Sequence, residues 1–189
     1  MIATPETEIR DEPMATRVAL HPFLAGLGRK ELALLTDCAM AVHFKKGQTI
    51  LREGEFANRF YLIESGKVTL ESDVNPGEPV VIETIGPGDL LGWSWMFPPY
   101  VWRFTARAAE PTEAIFFYGT ILREYCERDH SLGYELFKRM SAVMVKRLQA
   151  ARDKMLHAHS GRTFQTLAQS AHPPVARGER PAGLAKRAN

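Results

Sequence analysis

Between Ala41 and Tyr118 the chain falls into short runs rich in β-branched and aromatic residues. Gly, Pro, Asn and Asp separate these runs at spacings of about ten residues, which leaves no room for a long helix and is the punctuation of an all-β unit. The runs predict strands at Ala41–Phe44, Thr49–Leu51, Phe60–Glu64, Lys67–Glu71, Pro79–Ile85, Phe104–Ala109 and Thr112–Phe117. Ser65-Gly66 supplies a tight hairpin, because glycine reaches the positive φ that such turns require. Asn75-Pro76-Gly77 and Gly86-Pro87-Gly88-Asp89 mark further reversals.

Helical patterns flank this region. His21-Pro22-Phe23-Leu24 opens a stretch in which Leu32, Leu34, Leu35 and Cys38 share one apolar face. After Gly119 the pattern returns through Ile121, Leu122, Tyr125 and Cys126, and then runs from Leu132 to Leu156. On that last helix Phe137, Ser141, Met144, Leu148, Ala151 and Met155 alternate four and three residues apart, a heptad seam. Leu136, Met140 and Val143 form a second strip beside it. Such a helix spans about 37 Å at about 1.5 Å per residue, longer than a small β-domain is wide. It can pack on its own domain alone, but part of the seam then lacks cover, and a parallel homodimer through this helix is the expectation.

The expected organisation is a disordered leader over residues 1–16, a β unit over 17–128, a dimerisation helix over 129–157 and a basic, mostly disordered tail over 158–189. The leader is polar and proline-punctuated. The tail has room for one short helix around Thr163–Ala171, and a helix-turn-helix domain does not fit within it.

With 189 residues and 45% apolar composition, the chain suits one domain with appendages. The net charge of +2 is uneven. From His157 onward five bases stand against one acid, so the rest of the chain carries about −2 and offers no basic nucleic-acid face. Autonomous sequence-specific DNA binding is not expected. Cys38 and Cys126 lie far apart and outside any Cys/His cluster, and the six histidines are scattered, so no metal site is read. Glu6, Glu8, Asp11 and Glu12 exclude a secretory signal near the start, and no stretch approaches 18 uninterrupted apolar residues. A reduced, cytoplasmic protein without a membrane span is the expectation. No nucleophile–base pair or P-loop is visible, and the chain is read as a non-enzyme.

Lys46-Gly47-Gln48-Thr49-Ile50, Arg52-Glu53-Gly54-Glu55, Phe60 to Val68 through Ser65-Gly66, and Gly86-Pro87-Gly88-Asp89-Leu90-Leu91-Gly92 follow one another in order. Together they resemble the cyclic-nucleotide-binding domains of the bacterial Crp/Fnr regulators, over roughly His21 to Leu156. Met140 to Met144 with Arg147-Leu148-Gln149 is similar to the dimerisation helix of the enteric catabolite activator. The resemblance implies a mainly β fold with flanking helices (α+β): an antiparallel, jelly-roll-like β-roll, N-terminal helices and a long C-terminal dimerisation helix.

It also implies a site. In the family a short helix after the Gly-Asp strand cradles a cyclic phosphate on its backbone N–H groups. The candidate ligand residues here are Gly92, Trp93, Ser94, Trp95, Trp102, Arg103 and Thr105, and the candidate dimer residues are Phe137, Met144, Leu148, Ala151 and Met155. Gly92 fits the family pattern. The ribose-binding glutamate that the family implies is replaced by Trp93, which donates only one N–H. The phosphate-binding arginine falls at Trp102, with Arg103 one residue later and so on the opposite face of a strand unless a bulge re-aims it. The paired hydroxyls of the dimer helix align with Ala151 and Arg152.

All three tryptophans lie within Trp93–Trp102, accompanied by Phe97, Tyr100 and Phe104. Three readings stay open: a cassette filled as aromatic core, a pocket reshaped for a small aromatic ligand, or retained cyclic-nucleotide binding. No resident cofactor is expected. The function class is a regulatory sensor signalling through a dimer helix. Its alternatives are a truncated regulator acting through a partner and a ligand-free interaction scaffold.

Overall fold

A computed structural model describes residues 12–75 and 77–170. Two compact units divide the chain, the first ending at Val143 and the second beginning at Met144. The first contains every strand. Helix α1 (Met14–Leu20) leads through a 3-10 turn at Pro22–Leu24 to α2 (Arg29–Asp37). Eight strands follow: β1 (Ala39–Phe44), β2 (Thr49–Leu51), β3 (Arg59–Ser65), β4 (Val68–Asn75), β5 (Glu78–Ile85), β6 (Leu90–Leu91), β7 (Thr105–Ala108) and β8 (Thr112–Tyr118). Between β6 and β7 lies a second 3-10 helix, Trp93–Met96. The chain then enters α3 (Gly119–Arg128) and α4 (His130–Ser170).

The strands form two four-stranded antiparallel sheets, ordered β1-β8-β3-β6 and β2-β7-β4-β5. This is the expected antiparallel β-roll with flanking helices. β3 and β8 are buried on both faces because the roll interior lies on one side and helices on the other, so both strands read as nearly continuous apolar runs. At the hairpin between β3 and β4, Gly66 has φ +85°, and a Cβ there would lie 2.3 Å from the Pro111 carbonyl oxygen. Only glycine fits that corner.

The N-terminal helices are anchored by polar contacts as well as by Val18, Leu24 and Leu35 in the core. Arg17 forms an ion pair with Glu64 in which both side chains are buried. His21 Nδ1 accepts from the Phe23 amide at 3.3 Å, and its Nε2 lies 3.1 Å from the Ile63 carbonyl oxygen. At the start of α4, Asp129 Oδ1 accepts from the Ser131 and Leu132 amides, and Lys30 donates to its Oδ2 at 2.8 Å. That cap ties α2 to α4.

Several elements and boundaries differ from the sequence expectation. α1 starts at Met14, inside the segment expected to be leader, because tertiary contacts of Val18 and Arg17 hold a seven-residue helix that has too little periodicity of its own. β6 is a two-residue strand recognisable only from its pairing with Tyr61 and Leu62. Phe104 and Ala109 fall outside β7, while β4 extends past Glu71 to Asn75. Finally, α4 continues without interruption to Ser170, where a break and a separate short helix were expected. Gly161 alone does not stop it, since a glycine costs about 1 kcal/mol in a helix and the next proline is Pro173. Residues 1–11 of the expected leader, and the tail beyond Ser170, lie outside the described residues.

Along α4 the two apolar strips part company. Leu132, Leu136 and Met140 are fully buried against the roll, with Val143 packed beside them. Of the heptad seam, Phe137, Leu148, Ala151 and Met155 are exposed, and Ser141 and Met144 are half-buried.

Candidate functional site

The segment from Gly92 to Thr105 begins at a left-handed glycine. Gly92 has φ +88° and caps the 3-10 helix, which turns the chain away from β6. The ring of Trp102 closes over it. A Cβ at Gly92 would lie 3.1 and 3.2 Å from Trp102 Cζ3 and Cη2, and 3.4 Å from the Arg59 carbonyl oxygen. Trp102 is only 3% exposed, and its backbone is pinned to the 54–57 segment. Its amide donates to the Glu55 carbonyl at 2.9 Å, and its own carbonyl accepts from the Gly54 amide at 3.0 Å.

Trp95 is 1% exposed and stacks on Phe60 with centroids 5.5 Å apart; Phe60 in turn stacks on Phe117 at 4.7 Å. Gly119 makes room for this indole, since a Cβ at the first residue of α3 would lie 2.9 Å from Trp95 Cβ and Cγ. Ser94 is buried beside it. Trp93 is half-buried and meets Phe97 edge-to-face at 6.2 Å, and Phe97 meets Phe137 in the same manner at 6.2 Å. A ladder of rings thus links the 3-10 helix to α4.

Arg103 is not brought to this cluster. It is exposed, lying in a bend before β7, and the β7–β4 register runs without a bulge that would re-aim it. Thr105 is half-buried at the start of β7, where its hydroxyl accepts from the Glu53 amide at 3.2 Å. The structure therefore assembles Gly92, Trp93, Ser94, Trp95 and Trp102, and leaves Arg103 on the surface.

Two residues beside the cluster escaped the sequence reading. Arg123 of α3 donates from Nη2 to the Trp95 carbonyl at 2.5 Å, and its guanidinium carbon sits 4.2 Å over the ring of Tyr100. Tyr100 itself has φ +57°, an uncommon backbone for a bulky residue. Arg59 lies under Gly92 through its carbonyl, and its side chain half-faces solvent. No sequence signal marks either arginine, because each acts across elements distant in the chain. Four buried N–H groups of this neighbourhood, Trp95 Nε1, Trp102 Nε1, Arg59 Nε and Arg123 Nε, have no hydrogen-bond partner among the described residues.

Other chemistry is sparse. Among the described residues no group of three or more His, Cys, Asp and Glu side chains could hold a metal, and no helix is long and apolar enough to cross a membrane. Cys38 and Cys126 are free thiols that burial pushes up to about 11, so neither is a ready nucleophile.

Comparison with known proteins places this geometry. The cyclic nucleotide-binding domain family matches residues 41–129. That match spans just under half of the chain. Over 74 residues the chain is 34% identical to the CRP-like cAMP-activated global transcriptional regulator of Mycobacterium tuberculosis, a match covering 39% of the chain and 33% of the regulator. The chain thus spans about a third of that relative's length.

Among solved structures, a protein of Geobacter metallireducens assigned to the cyclic nucleotide-binding proteins superposes with a TM-score of 0.63 at 28% identity, covering 72% of this chain and 98% of that one. The catabolite activator protein of Thermus thermophilus shares the fold, with a TM-score of 0.58 at 24% identity over 74% of this chain and 63% of that one. The fold here is thus that of a cyclic nucleotide-binding domain, and it resembles those of Crp/Fnr regulators. The segment Gly92–Thr105 falls within it, where the family resemblance puts the phosphate cassette.

Proposed function

We infer that the chain is a non-enzymatic regulatory module of the cyclic-nucleotide-binding family whose phosphate cassette has become aromatic core, and which signals through α4. The carrying observation is Trp102: buried, with its ring in van der Waals contact with Gly92, it occupies the space beside the backbone that a cyclic phosphate would approach. Three further points support the reading. The neighbouring arginine, Arg103, is exposed. Trp93 lacks the acceptor that a ribose hydroxyl would donate to. A bidentate arginine–phosphate contact is also poorly replaced by an indole.

Calorimetric titration of cAMP and cGMP into the full chain tests this directly. No saturable heat is expected from either, and a Kd near 1 µM, about −8 kcal/mol, for either nucleotide would overturn the reading.

The output side of the proposal is a homodimer through the seam of Phe137, Met144, Leu148, Ala151 and Met155. The strip that packs on the roll is a different one, so the seam stays available to a second copy. Its regular heptad spacing suits a parallel, self-complementary pairing, and Phe137 and Leu148 are 48% and 70% exposed in the single chain. Movement of the Trp93–Phe97–Phe137 ring ladder is the route by which the cassette region would bias that pairing. Cytoplasmic residence, as for a soluble regulator, is part of the same proposal.

A further inference from the structure

Outside the interior of the roll, a crevice of about 170 Å³ opens among the Trp93–Met96 helix, α3 and the first turns of α4. It is lined by Trp95, Met96, Arg123, Cys126, Gly133 and Phe137, and neither Gly92 nor Trp102 contributes to it. Its walls are largely carbon. Nevertheless, two of the six residues keep a buried N–H donor with no acceptor: Trp95 Nε1 and Arg123 Nε. Buried donors without acceptors are uncommon and costly, and both belong to side chains that line this one crevice, so a ligand bringing an acceptor suits it.

The cation is held in place without being neutralised. Arg123 is fixed by the Trp95 carbonyl and the Tyr100 ring, and among the described residues no carboxylate forms an ion pair with it. The floor is equally constrained. At Gly133 a Cβ would lie 3.1 Å from the Cys126 carbonyl oxygen and 3.2 Å from Cys126 Cβ, so this glycine sets the close approach of α4 to α3. Burial keeps the Cys126 thiol protonated, so it lines the crevice as a neutral, weakly polar group.

We propose that this crevice is a ligand site for a small aromatic monocarboxylate, with its ring between Met96 and Phe137 and its carboxylate accepting from Trp95 Nε1 and Arg123. The size fits, since an apolar protein cavity of about 150 Å³ accommodates benzene. The carboxylate supplies the acceptors and the negative charge that the crevice lacks. A ligand there touches the 3-10 helix, α3 and α4 together, so it favours one packing of α4 over another in proportion to its differential affinity. The proposal is independent of whether the roll takes a nucleotide.

The test titrates benzoate and phenylacetate into the full chain while the three indole N–H resonances and the thermal midpoint are followed. Saturable movement of the Trp95 resonance is expected, with benzyl alcohol, the neutral analogue of benzoate, binding at least about tenfold more weakly. Arg123→Gln should weaken benzoate by a similar factor. Because that substitution also loosens Tyr100, Met96→Ala, at a half-buried wall of the crevice outside the seam, is the second variant, expected to weaken benzoate binding while circular dichroism of the free protein is retained. No movement of the Trp95 signal up to about 10 mM of either acid would overturn the proposal. So would equal binding of benzyl alcohol, or movement of the Trp102 resonance alone, which would put the ligand inside the roll.

Discussion

Gly92 shows how closely the cassette region is filled. Its φ of +88° already disfavours any L side chain, and the Trp102 ring and the Arg59 carbonyl leave a Cβ no space. Gly92→Ala is expected to destabilise the protein by about 1–2 kcal/mol from backbone strain alone, with more from displacement of Trp102, read as a lower midpoint in calorimetric unfolding. His21 makes the second prediction. Burial, opposed by the Ile63 carbonyl, pushes its imidazole below the ordinary histidine range, so the folded state holds it neutral. The unfolded chain binds a proton below about pH 6.5 that the folded chain does not, so stability is full above that value and falls as pH drops through it. Urea unfolding at about pH 7 and pH 5 measures the loss, and His21→Ala should flatten the difference. The same substitution leaves the Phe23 amide unpaired, while the Ile63 carbonyl keeps the Gly88 amide at 2.8 Å, so the cost at neutral pH is about 1–3 kcal/mol for the one lost acceptor.

At the scale of elements, α4 carries two apolar strips, one buried against the roll and one exposed. Leu136→Ala or Met140→Ala opens a cavity in the core and should cost about 2–5 kcal/mol in unfolding free energy. Leu148→Asp, on the exposed seam, should leave the thermal unfolding of the roll within about 0.5 kcal/mol, and under the proposed pairing sedimentation velocity reads a dimer for the unaltered chain and a monomer for the variant. Both strips were legible in the sequence as spacings of three and four. Which of them the roll covers was not, because periodicity places residues on a helix face without saying what that face meets. The strands were legible for the converse reason: alternation and glycine corners are local signals, and seven of the eight were found. β6 has two residues, too few to alternate, and α1 has seven, too few for a helical pattern.

For the whole molecule, the fold implies that stability and ligand response are coupled only through states the ligand distinguishes. If the cassette is filled, saturating cAMP should leave the unfolding midpoint unchanged, whereas a ligand at 100 times its Kd would stabilise by about 2.7 kcal/mol. A thermal shift series distinguishes the two outcomes. The chain's residues were enough to establish an antiparallel roll with flanking helices, because its turns and apolar runs act over a few neighbours. They also put tryptophan at positions where the family resemblance implies ligand-reading residues. Where those tryptophans go was settled only by packing: Trp102 onto Gly92, Trp95 onto Phe60 and Gly119, and Arg103 into solvent. The pairing of Arg123 with Trp95 and Tyr100 belongs to the same class, since residues up to 28 positions apart meet there only once the roll has closed and α3 has docked.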